Sequence, residues 1–169
     1  MKTIKLLTLE MEHFKGSGHR VVEFGGRDMT ILGENGLGKT THYDAVSWVL
    51  FGRDSQGRKP GERDFNIKPN GTEGTGVMPA VTVVLSVDGA PLALKKVYRE
   101  VWTKPRGSAE QQFSGNTTDY FIDGVPKKES DYKAYISAIV TEEQWRLLTD
   151  VYWFCRDMPW RQRRALLFD

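Results

Sequence analysis

At 169 residues the chain has the length of one ordinary domain, enough to bury a continuous core without staples. Its 39% apolar and 27% charged residues are those of a soluble globular protein, and no apolar run reaches bilayer length, so no membrane partner is expected. The net charge of +2 is too small to argue for a nucleic-acid partner, and the single cysteine, Cys155, fits a reducing, cytoplasmic setting.

Residues 4–11 carry Ile4, Leu6 and Leu9 in a β-rich stretch, without the apolar block of a secretory signal. After the turn Gly16-Ser17-Gly18, residues 21–24 read as a second strand. Met29, Thr30, Ile31 and Leu32 form a short apolar run of the kind found in a buried central strand. From Thr40 on, Ala45, Val46, Val49 and Leu50 recur at helical spacing, and Gly52 is placed to end that helix at Phe51.

Residues 53–76 make a long polar excursion, broken by Gly57, Pro60, Gly61, Pro69, Gly71, Gly74 and Gly76, with Phe65 and Ile67 as its apolar anchors. Val81, Val83, Leu85 and Val87 then alternate, Asp88-Gly89 turns the chain, and residues 92–102 run back as a hairpin. After a polar break at 103–116, Tyr120, Phe121 and Ile122 form a short strand before a further Asp123-Gly124 turn. Tyr132, Tyr135, Ile136 and Ile139 share a helical face. Thr141 and Gln144 make a capping box before Trp145, Leu147 and Leu148, and a last helix starts near Pro159. The five tryptophans read as core, and Cys155 as a buried structural thiol. The basic pairs Lys95-Lys96 and Lys127-Lys128 and the run 161–164 read as solvated faces.

The chemistry concentrates in residues 33–40, Gly-Glu-Asn-Gly-Leu-Gly-Lys-Thr, which fit the phosphate-cradling loop pattern G-x-x-x-x-G-K-[ST] without a mismatch. Gly33, Gly36 and Gly38 let the backbone turn its N–H groups toward phosphate oxygens, and the following helix adds its positive end. Lys39 is expected to reach the β- and γ-phosphates of ATP, Thr40 to ligate Mg²⁺ through its hydroxyl, and Thr41 to lie near the α-phosphate.

Other candidates are weaker. His13, His19 and His42 have no metal-like spacing to a cysteine or carboxylate cluster. Asp54-Ser55-Gln56-Gly57 spells D-x-x-G, but without an intervening strand or a base-reading N-K-x-D it reads as a surface loop. An apolar strand ending in Asp-Glu, used by most such enzymes to hold metal and polarise water, has no counterpart here.

With these residues in view, the chain resembles the N-terminal lobe of the ATPase heads of the SMC, SbcC, RecF and RecN group in the ABC superfamily. The likeness is carried by His13-Phe14-Lys15-Gly16, by Val21-Val22-Glu23-Phe24, by the loop 33–41, and by Asp44-Ala45-Val46 with Leu50-Phe51-Gly52. The segments 96–100 and 120–124 resemble the β-rich arm of SbcC-like heads.

The resemblance implies an α/β lobe with a mixed central sheet, an antiparallel β-arm and a helical end. It would form one ATP-binding unit over 1–169, divided as 1–52, 53–76, 77–125 and 126–169. It places Lys15 and Gly16 on one side of the adenine and Asn66, Ile67 and Lys68 on the other. Asn35, Gly36, Leu37 and Gly38 would lie around the phosphates, with Asn35 near the γ-phosphate. The family's Q-loop glutamine should fall within 152–158, where the sequence offers only Asp157 as a substitute.

The resemblance also implies partners: a long coiled coil and a C-terminal lobe beyond Asp169, a second head in an ATP-dependent dimer, DNA, and a nuclease subunit. On that reading the chain is a fragment or truncated product that holds ATP–Mg²⁺, while hydrolysis awaits the missing lobe. The rivals are a small P-loop kinase, which predicts βαβ repeats and an arginine-rich lid, and a non-catalytic interaction module with a remnant loop.

Overall fold

A computed structural model describes residues 2–168 except 63, 64, 70, 71, 73, 105, 108, 109 and 151. Gly71, Val151 and Asp169 therefore lie outside the described residues. The chain divides into two compact units, residues 1–133 and 134–169.

The first unit is built on one six-stranded sheet in the order β2-β1-β3-β4-β5-β6. Its strands are β1 (Ile4–Glu12), β2 (His19–Glu23), β3 (Ala80–Val87), β4 (Ala90–Thr103), β5 (Gln112–Ile122) and β6 (Val125–Lys127). Every ladder is antiparallel. The turns Asp88-Gly89 and Asp123-Gly124 close the β3–β4 and β5–β6 hairpins as their sequences predict, with both aspartates in the left-handed region (φ 51 and 49).

Alternation sorts the sheet's faces. Leu9, Met11, Val81, Val83, Leu85, Leu92 and Leu94 are buried. Onto β1, β3 and β4 packs helix α1 (Lys39–Phe51), which buries Ala45, Val46, Trp48, Val49 and Leu50. Phe14 and Trp48 meet with ring centroids 5.4 Å apart. Gly52 ends α1 at φ 73, its N–H returning to the Trp48 carbonyl at 2.8 Å.

The excursion 53–76 is anchored by Phe65 and Ile67, both buried as expected. Its polar residues do much of the ordering. Asp54 is not on the surface: it is 2% exposed, and its carboxylate accepts from the Gln56 and Arg58 amides and from the Arg58 guanidinium. Glu100 on β4 accepts from Lys68 Nζ, the Gly74 amide at 2.7 Å, the Gly76 amide at 3.1 Å and the Trp102 indole at 3.2 Å. One buried carboxylate thus ties the far part of the excursion to the sheet.

Several expectations are corrected. Residues 29–32 form no strand, and Met29 and Leu32 are 47% and 85% exposed; a strand needs a ladder partner, and none of the described strands pairs with this run. The mixed central sheet that the resemblance implies is, among the described residues, an antiparallel one. β5 begins at Gln112 rather than near Tyr120, because Gln112–Asn116 find ladder partners on the long β4 despite their polarity. Of the tryptophans only Trp48 is core; Trp102 and Trp160 are 41% and 60% exposed. Lys96 is buried rather than solvated, its alternating position on β4 placing it on the inner face.

Helix α2 (Glu129–Ile139) crosses from the first unit into the second. The second unit adds α3 (Glu142–Thr149), a π-helical turn (Trp153–Asp157) and α4 (Trp160–Phe168). The Thr141/Gln144 capping box forms in both directions at 3.1 and 3.2 Å. Cys155 is exposed, because the π-helical turn leaves it on the surface.

Burial predicts the cost of truncation. Leu94→Ala, at a fully buried position, should cost about 2–5 kcal/mol in urea unfolding, whereas Val125→Ala at a half-exposed one should stay within about 0.5 kcal/mol.

Candidate nucleotide-binding site

The loop 33–38 enters α1 through Gly38, which sits as N-cap at φ 82, with Gly36 before it at φ 87. That left-handed backbone is strained for any L side chain, and glycine carries it freely. A glycine N-cap also places no side-chain oxygen on the first-turn amides, and the first turn holds no acidic residue. The positive end of α1 is therefore left for an external anion. A Cβ on Gly36 would meet nothing within 4 Å, so the space beside it is open to a ligand.

Lys39 folds back over the loop, its Nζ donating to the Gly33 carbonyl at 2.6 Å and the Glu34 carbonyl at 2.7 Å. It thereby lies against the loop it is expected to serve. Thr40, next along, is exposed. Its hydroxyl suits Mg²⁺, a hard cation that takes oxygen ligands.

A cavity of about 250 Å³ brings Gly36, Leu37, Gly38 and Thr41 together with Lys15 and Gly16. These six were singled out from sequence, and folding gathers them although the two groups lie 20 positions apart at their nearest, Gly16 to Gly36. Met11, Ser17, Arg20 and His42 complete the lining and were missed. The Met11↔Arg20 register of β1 and β2 could have found Arg20 once the hairpin was assumed.

The turn at 13–18 is locked in an unusual form. His13 and Lys15 both have positive φ (54 and 51), held by the His13 amide to the Gly18 carbonyl at 2.6 Å and the Lys15 amide to the Ile67 carbonyl at 2.8 Å. Such strain persists only where the surroundings over-determine it, often at a ligand site. Ser17 is among the residues that line the cavity, while its hydroxyl is shielded from solvent without a hydrogen-bond partner among the described residues.

Lys15 extends to Asp44, Nζ to Oδ2 at 2.7 Å, and stands 5.5 Å from the Phe65 ring centroid. Asp44, 2% exposed in α1, also accepts from the Ser55 amide at 2.9 Å. The turn, the P-loop helix and the start of the excursion are thereby joined through one carboxylate.

Asn66, Ile67 and Lys68 do not line the cavity. Ile67 supports the Lys15 turn from behind, and Lys68 is committed to a buried ion pair with Glu100. Asn35 is exposed on the loop. Asp157 lies in the second unit, held by the Arg156 guanidinium at 2.8 and 3.0 Å, which keeps its carboxyl below the usual range.

Linear spacing also hides a grouping on the opposite face of the β1–β2 hairpin. Glu10, Glu12 and His19 place one ligand atom each within 4.8 Å of one another, because the ladder sets His19 across from Glu12. His19 Nε2 lies 2.9 Å from Glu10 Oε1.

A P-loop at the head of a helix packed on an antiparallel sheet, facing a strained β1–β2 turn, defines a P-loop ATPase lobe of the SMC/RecF type. Residues 8–149 match the family described as AAA domain, and the chain belongs to that family. Among solved structures it is similar to the recombination mediator protein RecF in its RecF-ATP form from the RecFOR pathway. That match has 16% identity and a TM-score of 0.52 over 76% of this chain, and covers 29% of the RecF chain. No curated protein matches the sequence.

The Glu100 hub makes a pH prediction. The hydrogen bond from Lys68, opposed by burial and helped by the Gly76 and Gly74 amides, holds the Glu100 carboxyl below its usual range. A carboxyl so depressed stabilises the fold above its unfolded-state value, near 4.5, and loses that contribution as pH falls through the folded value. In urea unfolding, wild type should be more stable than Glu100→Gln at neutral pH, with the gap closing in acid. Parallel curves would refute it.

Proposed function

We propose that this lobe binds ATP–Mg²⁺ through residues 33–41 and supplies one half of a composite ATPase site in a head of the SMC/RecF type. The carrying observation is the open, glycine-capped N-terminus of α1, gathered with Lys15 and Gly16 around one cavity.

The division of labour follows from the residues. The loop amides and the positive end of α1 take phosphate oxygens. Lys39 exchanges its two carbonyl partners for the β- and γ-phosphates, and Thr41 lies near the α-phosphate. Lys15 and Gly16 face the base. Asn66, Ile67 and Lys68 flank the base from the other side, and the Ile67 carbonyl also holds the Lys15 amide. Thr40 would hold Mg²⁺, which when bound neutralises charge between phosphate oxygens.

Met29, Leu32 and Leu37 expose apolar surface beside the loop, which suits burial against a further lobe. That lobe would bring the groups that polarise water, with Asp157 offered as the Q-loop substitute. Dimerisation of heads, DNA as the substrate and a nuclease partner, in the SbcC-like manner, complete the reading. DNA is suggested by the likeness to RecF, a recombination mediator. A small kinase fits less well, because α1 leads into antiparallel hairpins rather than a βαβ unit.

Calorimetry tests the core of this reading. Wild type should bind ATP–Mg²⁺, and Lys39→Ala should bind about 10- to 100-fold more weakly, as expected for one charge-assisted contact. Absence of binding by folded wild type would leave the loop a structural remnant.

A further inference from the structure

Lys96 takes no part in phosphate contact, yet it is 3% exposed at the far end of the P-loop helix. Its Nζ donates to the Trp48 carbonyl at 2.7 Å and stands 5.8 Å from the Trp48 ring centroid and 5.2 Å from those of Tyr120 and Tyr132. The Trp48 carbonyl belongs to the last turn of α1, where helix polarity is negative and a cation is favoured. The Tyr132 hydroxyl donates to the neighbouring Val49 carbonyl at 3.0 Å. The end of α1 is thus tied to β4 by an ammonium inside an aromatic cage.

We infer that Lys96 is a positioning residue for nucleotide binding: it clamps the inner end of α1 to the sheet and thereby fixes the P-loop at the other end, more firmly as an ammonium than as an amine. This rests on the ATP-binding reading above. A 13-residue helix is a rod of roughly 20 Å, so a tilt at the clamped end displaces the phosphate-binding end, where contacts tolerate little error.

The clamp's charge is adjustable. Burial pushes Lys96 down to about 7, Lys133 lowers it further and Glu129 opposes. Every packed element contributes to its surroundings. β5 presents Tyr120, whose hydroxyl burial pushes up to about 12, and α2 presents Tyr132, likewise raised. α2 also brings Lys133 and Glu129, paired at 2.5 Å, and α1 brings Trp48. The two tyrosines stay neutral through the range in which Lys96 changes charge.

The test is calorimetry of ATP–Mg²⁺ with wild type and Lys96→Met in matched buffers from about pH 6 to about pH 8.5, so that titration of ATP and of every group the two proteins share cancels in the ratio. Wild type should bind about tenfold more tightly at the acidic end, with the two within about twofold at the basic end. Lys96→Arg, if accommodated, should hold its advantage over Lys96→Met across the range. A ratio independent of pH, or near unity throughout, overturns the inference.

If Lys96→Met does not fold, wild type alone decides. With ¹³C-labelled lysine and ¹⁵N-labelled amides, Lys96 and the amides of Phe51, Gly52, Gly38 and Lys39 should titrate with one midpoint. A silent P-loop overturns the coupling. Wild type that binds no ATP at any pH fails the nucleotide reading instead, and the Phe51 and Gly52 titration then still reports the clamp.

Discussion

An α-helix cannot satisfy its own ends, and this fold is arranged around that constraint in α1. At one end the donors are left open: Gly38 caps without a side chain, no acidic residue occupies the first turn, and the loop before it curves on glycines. At the other end the acceptors are buried and must be answered from within. Gly52, Lys96 and Tyr132 answer them from the chain reversal, the sheet and α2. Between the ends, Asp44 turns an interior helix position into an anchor for the β1–β2 turn and for the excursion. The same helix is therefore wet and receptive at one end and dry and clamped at the other.

The excursion shows how a segment poor in apolar residues can be ordered. Phe65 and Ile67 supply the buried side chains, but the path between and beyond them is set by carboxylates that each collect several donors. Asp54 folds its own turn, and Glu100 holds Lys68, Gly74 and Gly76. A buried carboxylate is tolerable only when paired and hydrogen-bonded, and both meet that condition. Lys68, which faces the base in the family resemblance, takes part in this internal ordering through its pair with Glu100.

Much of this was legible from the chain, for identifiable reasons. The P-loop, the helix stop at Gly52, both Asp-Gly hairpins, the capping box and the Phe65 and Ile67 anchors are local codes, written within a few residues and executed by the backbone there. What escaped was set by pairing. Lys96 reads as one of two neighbouring surface lysines until β4 alternation turns one of them inward; Glu100 reads as an ordinary acid until its donors arrive from the excursion. Arg20 joins the cavity, and His19 joins Glu10 and Glu12, only across a ladder. Met29 and Leu32 failed in the opposite sense: their apolarity is real, but a strand is defined by its neighbour.

Cys155 has a practical consequence. It is the one cysteine of the sequence, and its residue is exposed at the π-helical turn. Within these 169 residues a thiol reagent therefore has a single address, outside the unit that carries the P-loop. A fluorophore or spin label placed there would report on the second unit while leaving the phosphate loop chemically untouched. For the same reason, a disulfide between two copies could form only through identical positions, giving a symmetric pair.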